Sequence, residues 1–247
     1  MKIAILSDIK SNVYALKEVL MDAKNNDVDV LLNLGDSFYG PIAPKATYDL
    51  IRQNEFITLL GDEDRKILEA SLDQLENNDT LKYVYNDLGD EVLYWIQELP
   101  FEKLIGNDFY MIHGTYQDDS LYMLEDISSG KAVLRDDNKI LEILDDIKSK
   151  FVFCGNSCTP RCVNLSSGQV VINPGSVGIQ ALSKEEPNKH IIENNSIEAS
   201  YVILTIDDEK YDIELRKVAY DFESAAVKAS ANNREDWANA LRTGKVN

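Results

Sequence analysis

The chain has 247 residues, 44% hydrophobic and 28% charged, a composition that excludes wholesale disorder and leaves enough apolar material for a sizeable core. No apolar run approaches the ~20 residues that cross a bilayer. Forty-three acidic against 25 basic residues give a net charge of −18, which repels a nucleic-acid backbone and predicts neither nucleic acid nor membrane as a partner.

In chain order, short apolar runs alternate with helical periods, which predicts βα units. Residues 2–8 read as a buried strand. Residues 12–26 then set Ala15, Leu16, Val19, Leu20 and Ala23 on one helical face, with Asn12 as the N-cap. Residues 28–36 and 56–61 read as strands around a helix at 46–54. From 63 to about 98 the composition is helical, with breaks at 77–79 and at Gly89; this stretch reads as a helical insertion in a single domain over 1–247. The second half is richer in strands, at 108–114, 150–155 and 169–173, with a helix at 138–148. Residues 201–207 and 211–218 read as a hairpin, and 222–242 as a final helix. Residues 183–200 are polar, hold Pro187 and several Asn, and read as a mobile loop that leaves His190 exposed.

The N-terminus reaches Asp8 too early for a signal peptide, which predicts a cytoplasmic location. Cys154, Cys158 and Cys162 fit neither a disulfide framework nor the CxxC of a zinc site. The two histidines, His113 and His190, exclude any site built from three or more imidazoles.

Asp8, Asp36, Asp62, His113 and Asn156 fall at the ends of predicted strands. Side chains at the carboxyl ends of strands in an open α/β sheet can converge on a ligand. Three carboxylates, an imidazole and an amide suit Mn²⁺, Mg²⁺ or Fe²⁺ better than a thiolate-bound zinc. The plainer account, in which each residue only starts a turn or caps a helix, holds well for any one of them and poorly for five together.

Six runs carry a resemblance: Ser7-Asp8-Ile9-Lys10-Ser11-Asn12, Gly35-Asp36, Gly61-Asp62-Glu63-Asp64, His113-Gly114, Gly155-Asn156-Ser157-Cys158-Thr159-Pro160 and Asn173-Pro174-Gly175-Ser176-Val177-Gly178. In order and spacing they resemble the motifs of the calcineurin-like metallophosphoesterases, and the branch with bacterial diadenosine-tetraphosphatase-like and phosphodiesterase-like members. The resemblance implies an α/β fold, a four-layer sandwich of two mixed sheets flanked by helices. It also implies that one family ion would be held at Asp8, Lys10, Asp36 and Cys158, where a protonated lysine is no ligand. The other would be held at Asp36, Asp62, His113 and Asn156, all still able to donate oxygen or nitrogen. The family's catalytic acid falls on Glu63, and Asn12 and Gly114 match positions that meet an anion. Two readings follow. In one, a single divalent cation serves a hydrolase of phosphate esters, of a small phosphorylated molecule or nucleotide, with Lys10 in place of the missing ion. In the other, no cation binds, Lys10 pairs with the acids, and the chain is a catalytically silent nucleotide-binding, regulatory or scaffolding module.

Overall fold

The computed structural model describes residues 1–185 and 188–246. Four apolar residues in a row, Ile3, Ala4, Ile5 and Leu6, are all buried in β1 (Lys2–Leu6), as a strand covered on both faces requires. Parallel strands β2 (Val30–Asn33) and β3 (Phe56–Thr58) continue the sheet on one side. The crossover helices are α1 (Val13–Asn25), capped by the Asn12 side chain on the Ala15 amide, and α2 (Pro44–Gln53), which starts on a proline that fits its first turn.

Three helices follow: α3 (Asp62–Leu68), α4 (Leu72–Asn77) and α5 (Asp79–Gln97). Asn78 caps α5, and Gly89 kinks it at φ +70°, so both expected breaks are present. Their apolar faces join α1 and α2 in one core against Ala4, Leu6, Tyr201 and Ile203.

A second sheet begins with β4 (Glu102–Ile105) and β5 (Phe109–Ile112). A short ribbon, β6 (Glu125–Asp126) with β7 (Val133–Leu134), and helix α6 (Asp137–Leu144) precede β8 (Phe151–Phe153), β9 (Arg161–Asn164) and β10 (Val170–Asn173). The order is β4-β5-β8-β10-β9, parallel in the middle and antiparallel at both edges.

Next come β11 (Ala181–Lys184) and β12 (His190–Glu193), then β13 (Ala199–Asp207) and β14 (Lys210–Val218), which complete the first sheet as β14-β13-β1-β2-β3. Ile3, Ile5, Leu32 and Leu34 of one sheet pack on Met111, Phe153, Val170 and Ile172 of the other. Helices cover the outer face of the first sheet. On the outer face of the second, Ile140 and Leu144 of α6 pack with Ile112, Val152 and Val171. The result is the expected four-layer α/β sandwich of two mixed sheets.

Two expectations are corrected. The run 183–200 is not one loop: among its described residues Ser183 and Lys184 of β11 pair antiparallel with Ile191 and His190 of β12, and His190 is buried, its Nε2 2.8 Å from Tyr122 Oη. The Pro187 that suggested a loop lies outside the described residues. The single C-terminal helix is two, α7 (Phe222–Ala231) and α8 (Glu235–Thr243), because Asn233 takes a left-handed φ of +59° between them.

A candidate metal centre between the two sheets

The centre forms where strands of both sheets end and the chain turns sharply. Asp8, Lys10, Asp36, Asn156 and Cys158 all have left-handed φ values between +51° and +63°. Such backbone is costly for residues with a Cβ and persists where the surroundings over-determine it, which is typical of functional sites. The neighbouring glycines show how closely these turns are pressed together. A Cβ on Gly61 would stand 2.2 Å from both the amide nitrogen and Oδ1 of Asp36, and one on Gly178 would stand 2.1 Å from the Ile9 carbonyl oxygen.

Lys10 lies at the middle. Its Nζ is 2.5 Å from Asp36 Oδ2, 2.5 Å from Glu63 Oε2 and 3.3 Å from Asp8 Oδ1, and its side chain is 2% exposed. Burial opposes the ammonium, but Asp36, Glu63 and Asp8 outweigh it and hold its pKa well above the ordinary range. Burial likewise pushes Asp36 up, and Lys10 and His113 bring it well below the usual carboxylate range.

His113 is oriented from behind. Its Nδ1 lies 2.8 Å from the Leu34 carbonyl oxygen, which can only accept, so Nδ1 carries the proton and Nε2 faces the centre. There Nε2 stands 3.4 Å from both Asp36 Oδ1 and Asp62 Oδ1, too long for good hydrogen bonds. Nε2 and Asp62 Oδ1 are both buried without a hydrogen-bond partner. Two donors about 2.1 Å from one tetrahedral ion stand about 3.4 Å apart, so each of these two oxygens stands from Nε2 as a second ligand of one divalent cation would. Without a cation, burial disfavours the imidazolium, but the two carboxylates hold the His113 pKa well above its usual value.

Asp8, Asp36 and His113 also bring ligand atoms within 4.8 Å of one another. Asp8, however, is already saturated: Oδ2 accepts from Ser7 Oγ and the Asn156 amide, and Oδ1 accepts from Cys158 Sγ and faces Lys10. Asp36 is engaged as well, its Oδ2 accepting from Lys10 and its Oδ1 from the Glu63 amide, which leaves Asp62 Oδ1 and His113 Nε2 as the unspent donors.

Other expected residues are placed differently. Asn156 is at the centre, but its Oδ1 accepts from Lys184 Nζ at 2.9 Å and its Nδ2 donates to the Asp119 carbonyl. Cys158 is buried, and burial and Asp8 raise its pKa well above the ordinary value, so it offers a thiol and no thiolate. Asn12 is fully buried and spends its amide on the Gly178 carbonyl and Tyr220 Oη, away from any ligand. Gly114 packs against the 118–121 turn, where a Cβ would stand 2.3 Å from the Asp119 carbonyl oxygen. Glu63 alone keeps an opening, with 18% side-chain exposure, and borders a cleft of about 510 Å³ with Tyr39, Lys66 and Asn78. Burial pushes its carboxyl up against the pull of Lys10.

Sequence reasoning missed Lys66, whose Nζ is 2.5 Å from Asp62 Oδ2, and Lys184. The first is an i,i+4 pair on α3 and was legible as such; the second had no motif to mark it.

Among the described residues no helix is long and apolar enough to cross a membrane. The sequence profile of the calcineurin-like phosphoesterase superfamily domain matches residues 1–209. An uncharacterized protein of Methanocaldococcus jannaschii is 27% identical over 256 residues, covering 95% of this chain and 94% of that one. The crystal structure of a metallophosphoesterase from Sphaerobacter thermophilus superposes with a TM-score of 0.76 at 22% identity, over 99% of this chain and 100% of that one. A protein described as a candidate diadenosine tetraphosphatase superposes with a TM-score of 0.51 at 14% identity, over 87% and 93% of the two chains. With the profile match over most of its length, and with both sheets of the sandwich in place, the chain belongs to the calcineurin-like phosphoesterase superfamily.

Proposed function

We propose that the protein is a hydrolase of phosphate esters, with a small phosphorylated molecule or nucleotide as substrate, built around one divalent cation (Mn²⁺, Mg²⁺ or Fe²⁺) held by Asp36, Asp62 and His113. The observation that carries this reading is the convergence of His113 Nε2, Asp36 Oδ1 and Asp62 Oδ1, two of them buried with no other partner. A divalent cation there would supply Lewis acidity toward a phosphoryl oxygen and toward water. The residues of the chain do the rest. Leu34 fixes the tautomer of His113. Lys10 puts a permanent positive charge beside Asp36, where a second cation would otherwise stand, and keeps Glu63 in position. Glu63, with its carboxyl pushed up and its side chain at the cleft, is the proton donor to a leaving oxygen.

A second reading rests on a different observation. Asp8, Lys10, Asp36, Asp62, His113 and Asn156 are all at most 1% exposed, and two ammonium groups already neutralise much of the centre. A chain locked in that state is a binding module without turnover.

Metal analysis separates the two. The protein is loaded with Mn²⁺, desalted and analysed for its metal content, then assayed on phosphomonoesters and phosphodiesters. About one ion per chain, lost in His113→Ala and Asp62→Ala, together with hydrolysis, supports the hydrolase. No retained ion rules it out, and two show that Lys10 yields its position.

A further inference from the structure

The end of β11 brings a second lysine to the centre. Lys184 Nζ donates to Asn156 Oδ1 at 2.9 Å and lies 5.4 Å over the ring of Tyr122. Tyr122 in turn meets His190 of β12, and packs with Ile192, so the hairpin that carries Lys184 is fixed against the centre. Burial opposes the ammonium, but Tyr122, Asp62 and Glu63 keep it charged, with a pKa above the ordinary lysine range.

Its bonding differs from that of Lys10. The Lys10 ammonium donates to Asp36 and Glu63 and faces Asp8 at 3.3 Å, so it is enclosed by carboxylates. An ammonium carries three donors, and among the described residues Lys184 spends one, on a neutral amide oxygen. Lys184 is half-buried while Asn156 beside it is fully buried, so this residue lies at the rim of the centre.

Charge decides what those donors suit. Four carboxylates (Asp8, Asp36, Asp62 and Glu63) face three ammonium groups (Lys10, Lys66 and Lys184), and with the His113 imidazolium held by Asp36 and Asp62 the cation-free centre is balanced. A balanced site offers an incoming anion no net attraction. A divalent cation that takes the place of the proton on His113 Nε2 turns the balance to one positive charge in excess, and an anion is then attracted.

We propose that Lys184 is the residue that grips a phosphoryl oxygen at this centre, and that it does so once a divalent cation is bound; the inference rests on the single-cation reading above. Binding is therefore ordered, cation before phosphate. Lys184 turns donors now unspent toward the phosphoryl oxygen while the hairpin stays in place.

The test is calorimetric titration of inorganic phosphate into the full chain, with and without saturating Mg²⁺, for the wild type, Lys184→Gln and Lys184→Arg. Circular dichroism checks that each variant is folded, and a separate Mg²⁺ titration checks the cation site. The wild type is expected to bind phosphate with Mg²⁺ and not without it. Lys184→Gln should bind phosphate at least about tenfold more weakly, the loss typical of a charged hydrogen bond. Its Mg²⁺ affinity should be unchanged or higher, and Lys184→Arg should recover most of the phosphate binding, which a merely structural role would not explain. Equal phosphate binding by Lys184→Gln and wild type overturns the proposal, as does no phosphate binding by the wild type. If Mg²⁺ itself fails to bind, the single-cation reading falls. The ordered binding proposed here falls with it, whereas Mg²⁺ bound as expected with phosphate binding unmoved by Lys184→Gln overturns the role of Lys184 alone.

Discussion

Replacing Lys10 by methionine keeps most of the side-chain volume and removes the charge at the centre. Asp36 Oδ2 and Glu63 Oε2 at 2.5 Å and Asp8 Oδ1 at 3.3 Å would lose their common cation. The side chains of Lys10, Asp8 and Asp36 are at most 2% exposed, so water screens this cluster little, and Glu63 at 18% only in part. Removing one member of a buried ion pair costs about 3–5 kcal/mol. For a chain of this size each kcal/mol moves the midpoint of thermal unfolding by about 2–4 °C, so Lys10→Met should melt about 6–20 °C below the wild type. The assay is differential scanning calorimetry at neutral pH in excess chelator, repeated with Mn²⁺. The divalent cation should recover part of the loss, because the three carboxylates it leaves are oxygen ligands suited to Mn²⁺. A fall of less than about 2 °C in chelator would refute the reasoning, since the ammonium would then not be compensating the buried carboxylates.

Mn²⁺ at about a hundred times its Kd should stabilise the wild type by about 2.7 kcal/mol, a rise of about 5–11 °C in midpoint; His113→Ala should show no rise in the same scan. Gly61→Ala should lower both the melting temperature and the bound Mn²⁺ measured by elemental analysis, because its Cβ meets Asp36 at 2.2 Å and φ is not at issue there. Asp22 accepts from Arg216 at 2.7 and 3.0 Å and from Tyr201 Oη at 2.6 Å, and these bonds hold its pKa below the ordinary value against the effect of burial. A lowered carboxyl contributes stability above its unfolded pKa of about 3.9 and loses it as pH falls through the folded one. Asp22→Asn should therefore cost about 1 kcal/mol at pH 7 for this partly exposed pair, and chemical denaturation should show the gap from wild type closing below about pH 4.

The sandwich was legible because its central strands are short runs of consecutive apolar residues between turn signals, as in Ile3–Leu6 and Val170–Asn173, and because Asn12, Asn78 and Gly89 mark helix ends and a kink in the usual way. Asp8, Asp36, Asp62 and His113 were legible as strand-end residues. The β11–β12 hairpin was not. In β12 His190 is buried and Ile191 about half exposed, against residue type, while Ile192 and Glu193 follow it, so no clean alternation marks the strand. Lys184 was lost with it, since a lone lysine in a polar stretch carries no sign of the Asn156 and Tyr122 it will meet. The surroundings of Asn12 were not legible either: position in a motif does not say which way a side chain is spent, and Asn12 is spent on a helix cap and the Gly178 carbonyl.

The place of β1 in its sheet has a consequence for how the molecule is made. β1 lies between β2, which follows it closely, and β13, with Lys2 opposite Thr205 and Ile5 opposite Val202. During synthesis the edge of β1 that will meet β13 stays open until Ala199–Asp207 has left the ribosome, and an open apolar edge is a template for wrong partners. Pairings this distant in sequence also slow folding. Asp8 and Lys10 leave the end of that same strand, while Val177 and Gly178 bond back to the carbonyls of Ser7 and Asp8 beside it. A chain stopped short of residue 199 would hold every residue of the site and the β1–β2–β3 pairing, with the other edge of β1 left uncovered.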